Sequence, residues 1–389
     1  MDTIFNNTEV AFGLKSDSEL DRAYFLFKMI SNESLVRIGT TLTNLALKAH
    51  LPVEGLIRAT VFDHFCGGIN EMDCLKVVDN MYAKGVSSVL DYSVEGKEDE
   101  SQFDAVLDMT LKTVEFAKER DAIPFAVFKP TGIGRLDLYT KIGEKLQLSD
   151  IEQAEWNRVK ERFDIICKTA HSKNVALLID AEESWMQDAA DDLVEEMMRK
   201  YNKEQVIVFN TLQMYRWDRM NYLKGLHERA KAADFHIGMK LVRGAYMEKE
   251  HKRAQENGYQ TPICSSKQAT DDNYNTAVEY MMQHIDKMAI FAGTHNEESS
   301  YKLLGMQVFN GITKNDPRIW FGQLYGMSDN ISYNLAVNGY NVAKYLPFGP
   351  VRDVMPYLIR RAQENTSVAG QTSRELNLLK SERVRRKSK

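Results

Sequence analysis

What most constrains this chain is an alternation. From Val86 onward, short β-rich runs are separated by longer segments with helical periodicity. The runs are SSVLDY (87–92), FAVFK (125–129), VALLID (175–180), QVIVFN (205–210), HIGMKLV (236–242), AIFAGTH (289–295), IWFGQL (319–324) and NVAKYLPF (341–348). Near-continuous apolar runs are what strands buried on both faces look like, and helical stretches between them point to βα units with a parallel sheet. Eight such units over about 280 residues predict an α/β fold, a (β/α)8 barrel of the TIM type, which typically needs roughly 250. One helix carries its own start signal: Ser149-Asp-Ile-Glu152 is a capping box, predicting a helix through about Lys173.

The residues up to about 85 read differently. Helical patterns run from Leu20 to Met29, from Glu33 to Leu51 and from Met72 to Lys84, with an interruption at Phe65–Gly68 and no β run. The expected organisation is an N-terminal helical segment over 1–85, the barrel over 86–370, and a basic C-terminal tail over 371–389. The tail ends SERVRRKSK, a charge run that favours disorder in water, with weak attraction to anionic lipid as a second use.

A formal charge of −5 over 389 residues gives no reason to expect nucleic acid as a partner. The four cysteines, Cys66, Cys74, Cys167 and Cys264, have no CxxC or zinc-like spacing, so reduced thiols are expected. The N-terminus lacks a basic region followed by an apolar one, and no apolar run approaches the roughly 20 residues that span a bilayer. A cytoplasmic location follows, with at most peripheral contact at the inner face of a membrane.

In a TIM-type barrel the site lies at the C-terminal ends of the strands. Polar residues collect there: Lys129, Asp180 with Glu182 and Glu183, Gln213, Arg243, Thr294 with His295, and Tyr345 towards the end of the last run. From residue types alone two readings stay open. One is a site for a small charged organic substrate. The other is a metal-dependent hydrolase or isomerase in which Asp180, Glu182 and His295 hold a divalent ion.

The stretch Tyr345–Asn365, YLPFGPVRDVMPYLIRRAQEN, favours the first. A strand turns at Gly349-Pro350 into a helix, where Pro350 suits the first turn because its missing N–H costs nothing. Val351, Val354, Leu358 and Ala362 make an apolar stripe, Pro356 should kink the helix or mark a restart, and Arg360 and Arg361 come near its end. Glu364 stands i,i+4 from Arg360 and i,i+3 from Arg361. Two guanidinium groups steadied by one carboxylate make a receptor for a small carboxylate, since each planar fork donates paired hydrogen bonds. Alone, such a sequence also fits a solvated helix end.

The stretch resembles the C-terminal signature of the proline dehydrogenase family, in which a strand ending in Tyr-x-Pro leads into a helix carrying Arg-Arg-x-x-Glu-Asn; the matching residues are Tyr345, Pro347, Arg360, Arg361, Glu364 and Asn365. A second resemblance is Lys240-Leu-Val-Arg-Gly-Ala-Tyr246, and shorter ones are Ile179–Glu183, Gln213-Met-Tyr215, Thr294-His295-Asn296 and Gln323–Met327. The likeness spans about 87 to 370.

The resemblance implies an FAD-dependent oxidation of L-proline to Δ1-pyrroline-5-carboxylate, the first step of proline catabolism, with a quinone as electron acceptor; nothing after residue 370 resembles a second catalytic domain, so a monofunctional chain is expected. It implies Asp180 and Lys240 beside the flavin and linked to each other as the catalytic pair. It places Ala181, Gln213, Val242, Arg243, Gly244, Tyr246, Thr294 and His295 at FAD. Lys129, Leu324, Tyr345, Arg360, Arg361 and Glu364 fall at the substrate, with Leu324 packed on its ring. Lys240 departs from the family, which often has arginine there; lysine keeps the charge and gives up the planar fork.

Overall fold

The strands form where apolar, β-branched and aromatic residues cluster, and most stop within a residue or two of a polar side chain. The computed structural model describes residues 4–48, 54–92, 99–367 and 369–388. Eight strands, β1 (Ser87–Tyr92), β2 (Phe125–Phe128), β3 (Ala176–Ile179), β4 (Val208–Gln213), β5 (Ile237–Val242), β6 (Met288–Gly293), β7 (Ile319–Leu324) and β8 (Val342–Phe348), close into a barrel in sequence order. Pairing is parallel throughout the registered pairs, from Ser87 opposite Ala343 to Tyr92 opposite Phe348 and from Phe209 opposite Gly238 to Gln213 opposite Val242. This is the (β/α)8 barrel that the alternation predicts.

β4 departs from its expected bounds. The apolar text QVIVFN suggests 205–210, yet the strand occupies Val208–Gln213 and ends in buried polar residues. Asn202 explains the shift: its Oδ1 accepts the N–H groups of Ile207 and Val208 at 2.9 and 2.8 Å, which holds 205–207 in a connecting turn. Hydrophobicity points to 205–207 instead of 211–213 because this strand ends in the buried polar side chains of Thr211 and Gln213. By contrast the helix Asp150–Lys173 starts on the Ser149 capping box and ends at Asn174 in the left-handed region.

The chain divides into two compact units. One comprises 96–294 and 302–321. Within it Phe125 of β2 packs edge-on against Phe209 of β4 and Phe291 of β6, with ring centroids 5.9 and 5.2 Å apart, which is the layering from alternate strands that fills such barrels.

The other unit comprises 1–95, 295–301 and 322–389. The final barrel helix, Val351–Ser367, continues through Pro356 without ending or restarting there. Its stripe is buried: Val351, Val354 and Leu358 pack with Leu26, Ile30, Phe62 and Phe65 from the N-terminal helices; the side chain of Ala362 lies outside the described residues. The C-terminal segment, whose charge suggests disorder in water, is a helix, Ala369–Lys387. Leu378 and Leu379 pack with Phe12, Leu20 and Phe27, each such buried side chain contributing about 1.5–3 kcal/mol. Its arginines are engaged internally: Arg385 and Arg386 both donate to Glu382 at 2.8 Å, Arg386 reaches Asp17 at 2.8 Å, and Arg383 lies 2.6 Å from Asp21. Among the described residues no helix is long and apolar enough to cross a membrane.

Candidate active site

β2 and β3 stop just before a lysine and an aspartate, and β5 carries a lysine inside its apolar run; in the unit of 96–294 these three side chains meet. The Lys240 ammonium donates to Asp180 Oδ1, and Lys129 Nζ lies 3.5 Å from Oδ2 of the same carboxylate. The side chains of Lys129, Asp180 and Lys240 are 14%, 15% and 7% exposed, so the charges are mostly desolvated but still reachable. Burial alone would push the Asp180 carboxyl up; the Lys240 and Lys129 ammonium groups outweigh it and hold the carboxyl below the usual carboxylate range.

The loop after β3 ties three strand ends together. Glu182 Oε2 accepts the N–H of Thr131 at 2.9 Å and Oε1 its hydroxyl at 2.6 Å, which pins the turn Pro130–Gly132 that follows Lys129. Burial first, and the neighbouring Glu183 carboxylate with it, push the Glu182 carboxyl up to about 7. Gln213, closing β4, donates Nε2 to the Glu182 carbonyl at 2.8 Å, and Ala181, half-buried, precedes that carbonyl in the chain. The Gln213 amide oxygen is buried with no hydrogen-bond donor among the described residues.

Beyond β5, Arg243 donates Nε to Asp271 and Nη1 to the Thr294 hydroxyl, both at 2.7 Å. The carbonyls of Val242 and Arg243 accept the N–H groups of Met214 and Tyr215 at 2.8 and 2.7 Å, so the segment after β4 is laced to the segment after β5. Gly244 has φ +132°, and a Cβ there would lie 2.4 Å from the Tyr215 ring; the turn and the close approach both require glycine. Tyr246 is buried, with the Lys249 ammonium 5.3 Å from its ring centroid.

In the other unit, Tyr345 of β8 is buried and its carbonyl accepts the N–H of Tyr325 at 2.8 Å. Leu324, the last residue of β7, is half-buried against the cluster of Phe62, Phe65, Val354 and Leu358. His295 Nδ1 lies 2.9 Å from the Ser328 hydroxyl. Arg361 is buried with its guanidinium 5.1 Å from the Tyr357 ring centroid, and Arg360 is half-buried. The side chain of Glu364 lies outside the described residues, as does its pairing with either arginine.

The metal reading finds no ligand set. Among the described residues no three His, Cys, Asp or Glu side chains stand where they would hold a metal ion. Asp180 is engaged by two lysines, Glu182 by Thr131, and His295 by Ser328. Sequence reasoning missed a different cluster, in which the β8 residue Lys344, fully buried, pairs with Asp329 at 2.7 Å and Asp329 with Lys15 at 3.0 Å. The signal was a lysine in the middle of NVAKYLPF.

A sequence model described as proline dehydrogenase matches residues 74–374. The carbapenem antibiotics biosynthesis protein CarD of Pectobacterium carotovorum subsp. carotovorum is 37% identical over 333 residues, covering 86% of each chain. Mitochondrial proline dehydrogenase 1 of Dictyostelium discoideum is 31% identical over 428 residues, covering 98% of this chain and 74% of its own. Among solved structures, proline utilization A of Bdellovibrio bacteriovorus, inactivated by N-propargylglycine, superposes with a TM-score of 0.71 at 18% identity. That likeness covers 95% of this chain but 39% of the solved one, and it speaks to the fold. Matched along most of its length by the family's sequence model and by relatives of similar span, and folded as the same barrel, this chain belongs to the proline dehydrogenase family of oxidoreductases.

Proposed function

We propose that this chain oxidises L-proline to Δ1-pyrroline-5-carboxylate with FAD as its cofactor and a quinone as the final electron acceptor, working in the cytoplasm with at most peripheral membrane contact. The observation that carries the reading, beyond family membership, is the Asp180 carboxylate after β3 that holds together Lys129, after β2, and Lys240, within β5. FAD, when bound, supplies the hydride acceptor. The residues present fit it: the orphaned Gln213 amide oxygen calls for a donor, which a flavin or its ribityl chain offers, and Arg243 with Thr294 forms a polar edge fixed by Asp271.

The protein's own tasks are binding, orientation and charge. Arg360 and Arg361 clamp the proline carboxylate, and Tyr345 and Leu324 cover its ring, so that the carbon beside nitrogen is held for hydride departure. Positive charge from Lys129 and the arginines disfavours the ammonium form of the substrate, which releases hydride poorly. Asp180 keeps Lys240 in one place, and the lysine supplies fixed positive charge where electron density arrives. Ala181, Gln213, Val242, Arg243, Gly244, Tyr246, Thr294 and His295 make up the cofactor's surroundings.

The test is a visible spectrum of the purified protein followed by anaerobic L-proline. A flavin spectrum that bleaches supports cofactor and substrate together. A yellow protein that does not bleach removes proline, and a colourless one that FAD fails to reconstitute removes the flavin. Arg361→Met is expected to raise KM for proline at least tenfold, as loss of a charged clamp does. The similarity to the carbapenem biosynthesis protein favours a second reading, in which the same oxidation serves a biosynthetic route. A deletion strain that still grows on proline as nitrogen source would select that one.

A further inference from the structure

The turn that follows β7, Tyr325-Gly-Met-Ser328, is neither helix nor strand, and it is buried: Met327 is 5% and Ser328 4% exposed. Buried backbone of this kind has no ladder to satisfy its carbonyls, so other groups must. Two do. His64 Nε2 lies 2.9 Å from the Gly326 carbonyl, and burial keeps that imidazole neutral and able to donate. Lys344 Nζ lies 2.7 Å from the Met327 carbonyl, 3.4 Å from the Leu324 carbonyl and 2.7 Å from Asp329 Oδ1.

An ammonium has three N–H donors, and here it has three acceptors. Its position is therefore fully determined: a fully buried charge on a central barrel strand tolerates no slack in the groups that neutralise it. Asp329 is fixed in turn by Lys15 on its other oxygen. The turn's own backbone is constrained as well. Gly326 has φ +79° and a Cβ there would meet the His64 carbonyl at 2.3 Å, while Ser328 is itself left-handed at φ 50°.

What the turn carries gives this a consequence. Leu324, the last residue of β7, leads into it, with its carbonyl on the Lys344 ammonium. Tyr325 donates its N–H to the carbonyl of Tyr345, the residue after Lys344. Ser328 ends it, with its hydroxyl on His295. We propose that Lys344 is a positioning residue for the reaction, clasping the turn after β7 to β8 and so fixing Leu324 and Tyr345 as the substrate's cover and Ser328 as the support of His295. The proposal rests on the reading of Leu324 and Tyr345 as the residues over the substrate ring.

The experiment is a double-mutant cycle on the flavin-loaded enzyme with Lys344→Met, Leu324→Ala and the pair, reading KM and kcat for proline. Lys344→Met is expected to raise KM about tenfold with kcat within about threefold, the pattern of lost substrate positioning. The pair should exceed the larger single effect by no more than about twofold, because both changes act through one turn. Asp191→Asn, in the Arg219–Asp191–Asn210 network of the other unit, serves as a control for stability lost elsewhere and should leave KM unmoved. If Lys344→Met does not fold, Lys344→Met with Asp329→Asn removes both buried charges together and is expected to show the same rise in KM. An unchanged KM in whichever variant folds, or effects that multiply with Leu324→Ala, overturns the proposal. If Leu324→Ala itself leaves KM unchanged, the substrate-cover reading fails instead, which keeps the two separable.

Discussion

Each unit of this molecule contains one aspartate flanked by two lysines, and the two triads do different things. Asp180 stands between Lys240 and Lys129, their side chains 15%, 7% and 14% exposed. Asp329 stands between Lys344 and Lys15, and its inner lysine is completely sealed. In both, burial alone would push the carboxyl up and the paired ammonium groups bring it down instead. The chemistry of the pairing is therefore the same; access is what differs. A triad left partly exposed beside strand ends can offer its charge to a ligand, whereas Lys344 spends its three donors on two backbone carbonyls and the Asp329 carboxylate and so holds shape.

This contrast breaks if Asp180 proves structural. Asp180→Asn is expected to lower kcat by about 10²–10³-fold, the scale of losing one preorganised charge at a reacting centre, with a loss of stability no larger than that of Asp329→Asn. Next in size, Asp329→Asn should destabilise the fold by about 3 kcal/mol, since it leaves Lys344 without its counter-charge, and should lower kcat far less than Asp180→Asn does; denaturant titration beside steady-state kinetics measures both. Equal effects of the two changes on kcat would erase the distinction.

A pH series sharpens it further. Glu182, beside the open triad, and Glu375, beside the sealed one, are both pushed up to about 7, chiefly by burial. A raised carboxyl makes the folded state bind more protons than the unfolded one between about pH 4.5 and 7, so the stability it contributes is complete below that window and is lost as pH rises through it. Glu375→Gln should remove up to about 3 kcal/mol of this loss between pH 5 and 8, read as a flatter melting temperature against pH. Asp329, Lys344 and Lys15 are the charged groups facing Glu375, and Lys344→Met in the same series should change the slope as well. The smallest effect concerns Tyr345, bonded into the turn that the sealed triad holds. If Tyr345 covers the substrate ring as proposed, its bulk leaves little room for a ring hydroxyl, so proline should be preferred over 4-hydroxyproline, and Tyr345→Ser should narrow the kcat/KM ratio about tenfold. Equal kcat/KM in the wild type would remove Tyr345 as a source of specificity.

Much of this was legible in the chain. The runs SSVLDY and IWFGQL are strands with the bounds their composition suggests, because strands buried on both faces cannot hide their apolar text. The residues at the strand ends were legible for the opposite reason: Lys129 before a proline and Asp180 after ALLI are conspicuous where a buried run stops. What misled was polarity inside the barrel. β4 lies three residues downstream of its apolar text because Asn202 claims the N–H groups of 207 and 208. The C-terminal arginines looked like a solvated tail and instead pair with Glu382, Asp17 and Asp21.

By itself, then, the sequence determined the barrel, through the spacing of its apolar runs, and pointed to the family, through the stretch Tyr345–Asn365 with its paired arginines and the segment Lys240–Tyr246. Only the tertiary structure decided that Lys15, Asp329 and Lys344, a separation of more than three hundred residues from first to last, form one cluster around a fully buried lysine. The reason is physical. Apolar periodicity is local and survives in the sequence as pattern, whereas the partner of a buried charge is whichever group the fold delivers, and nothing in the neighbouring residues records it.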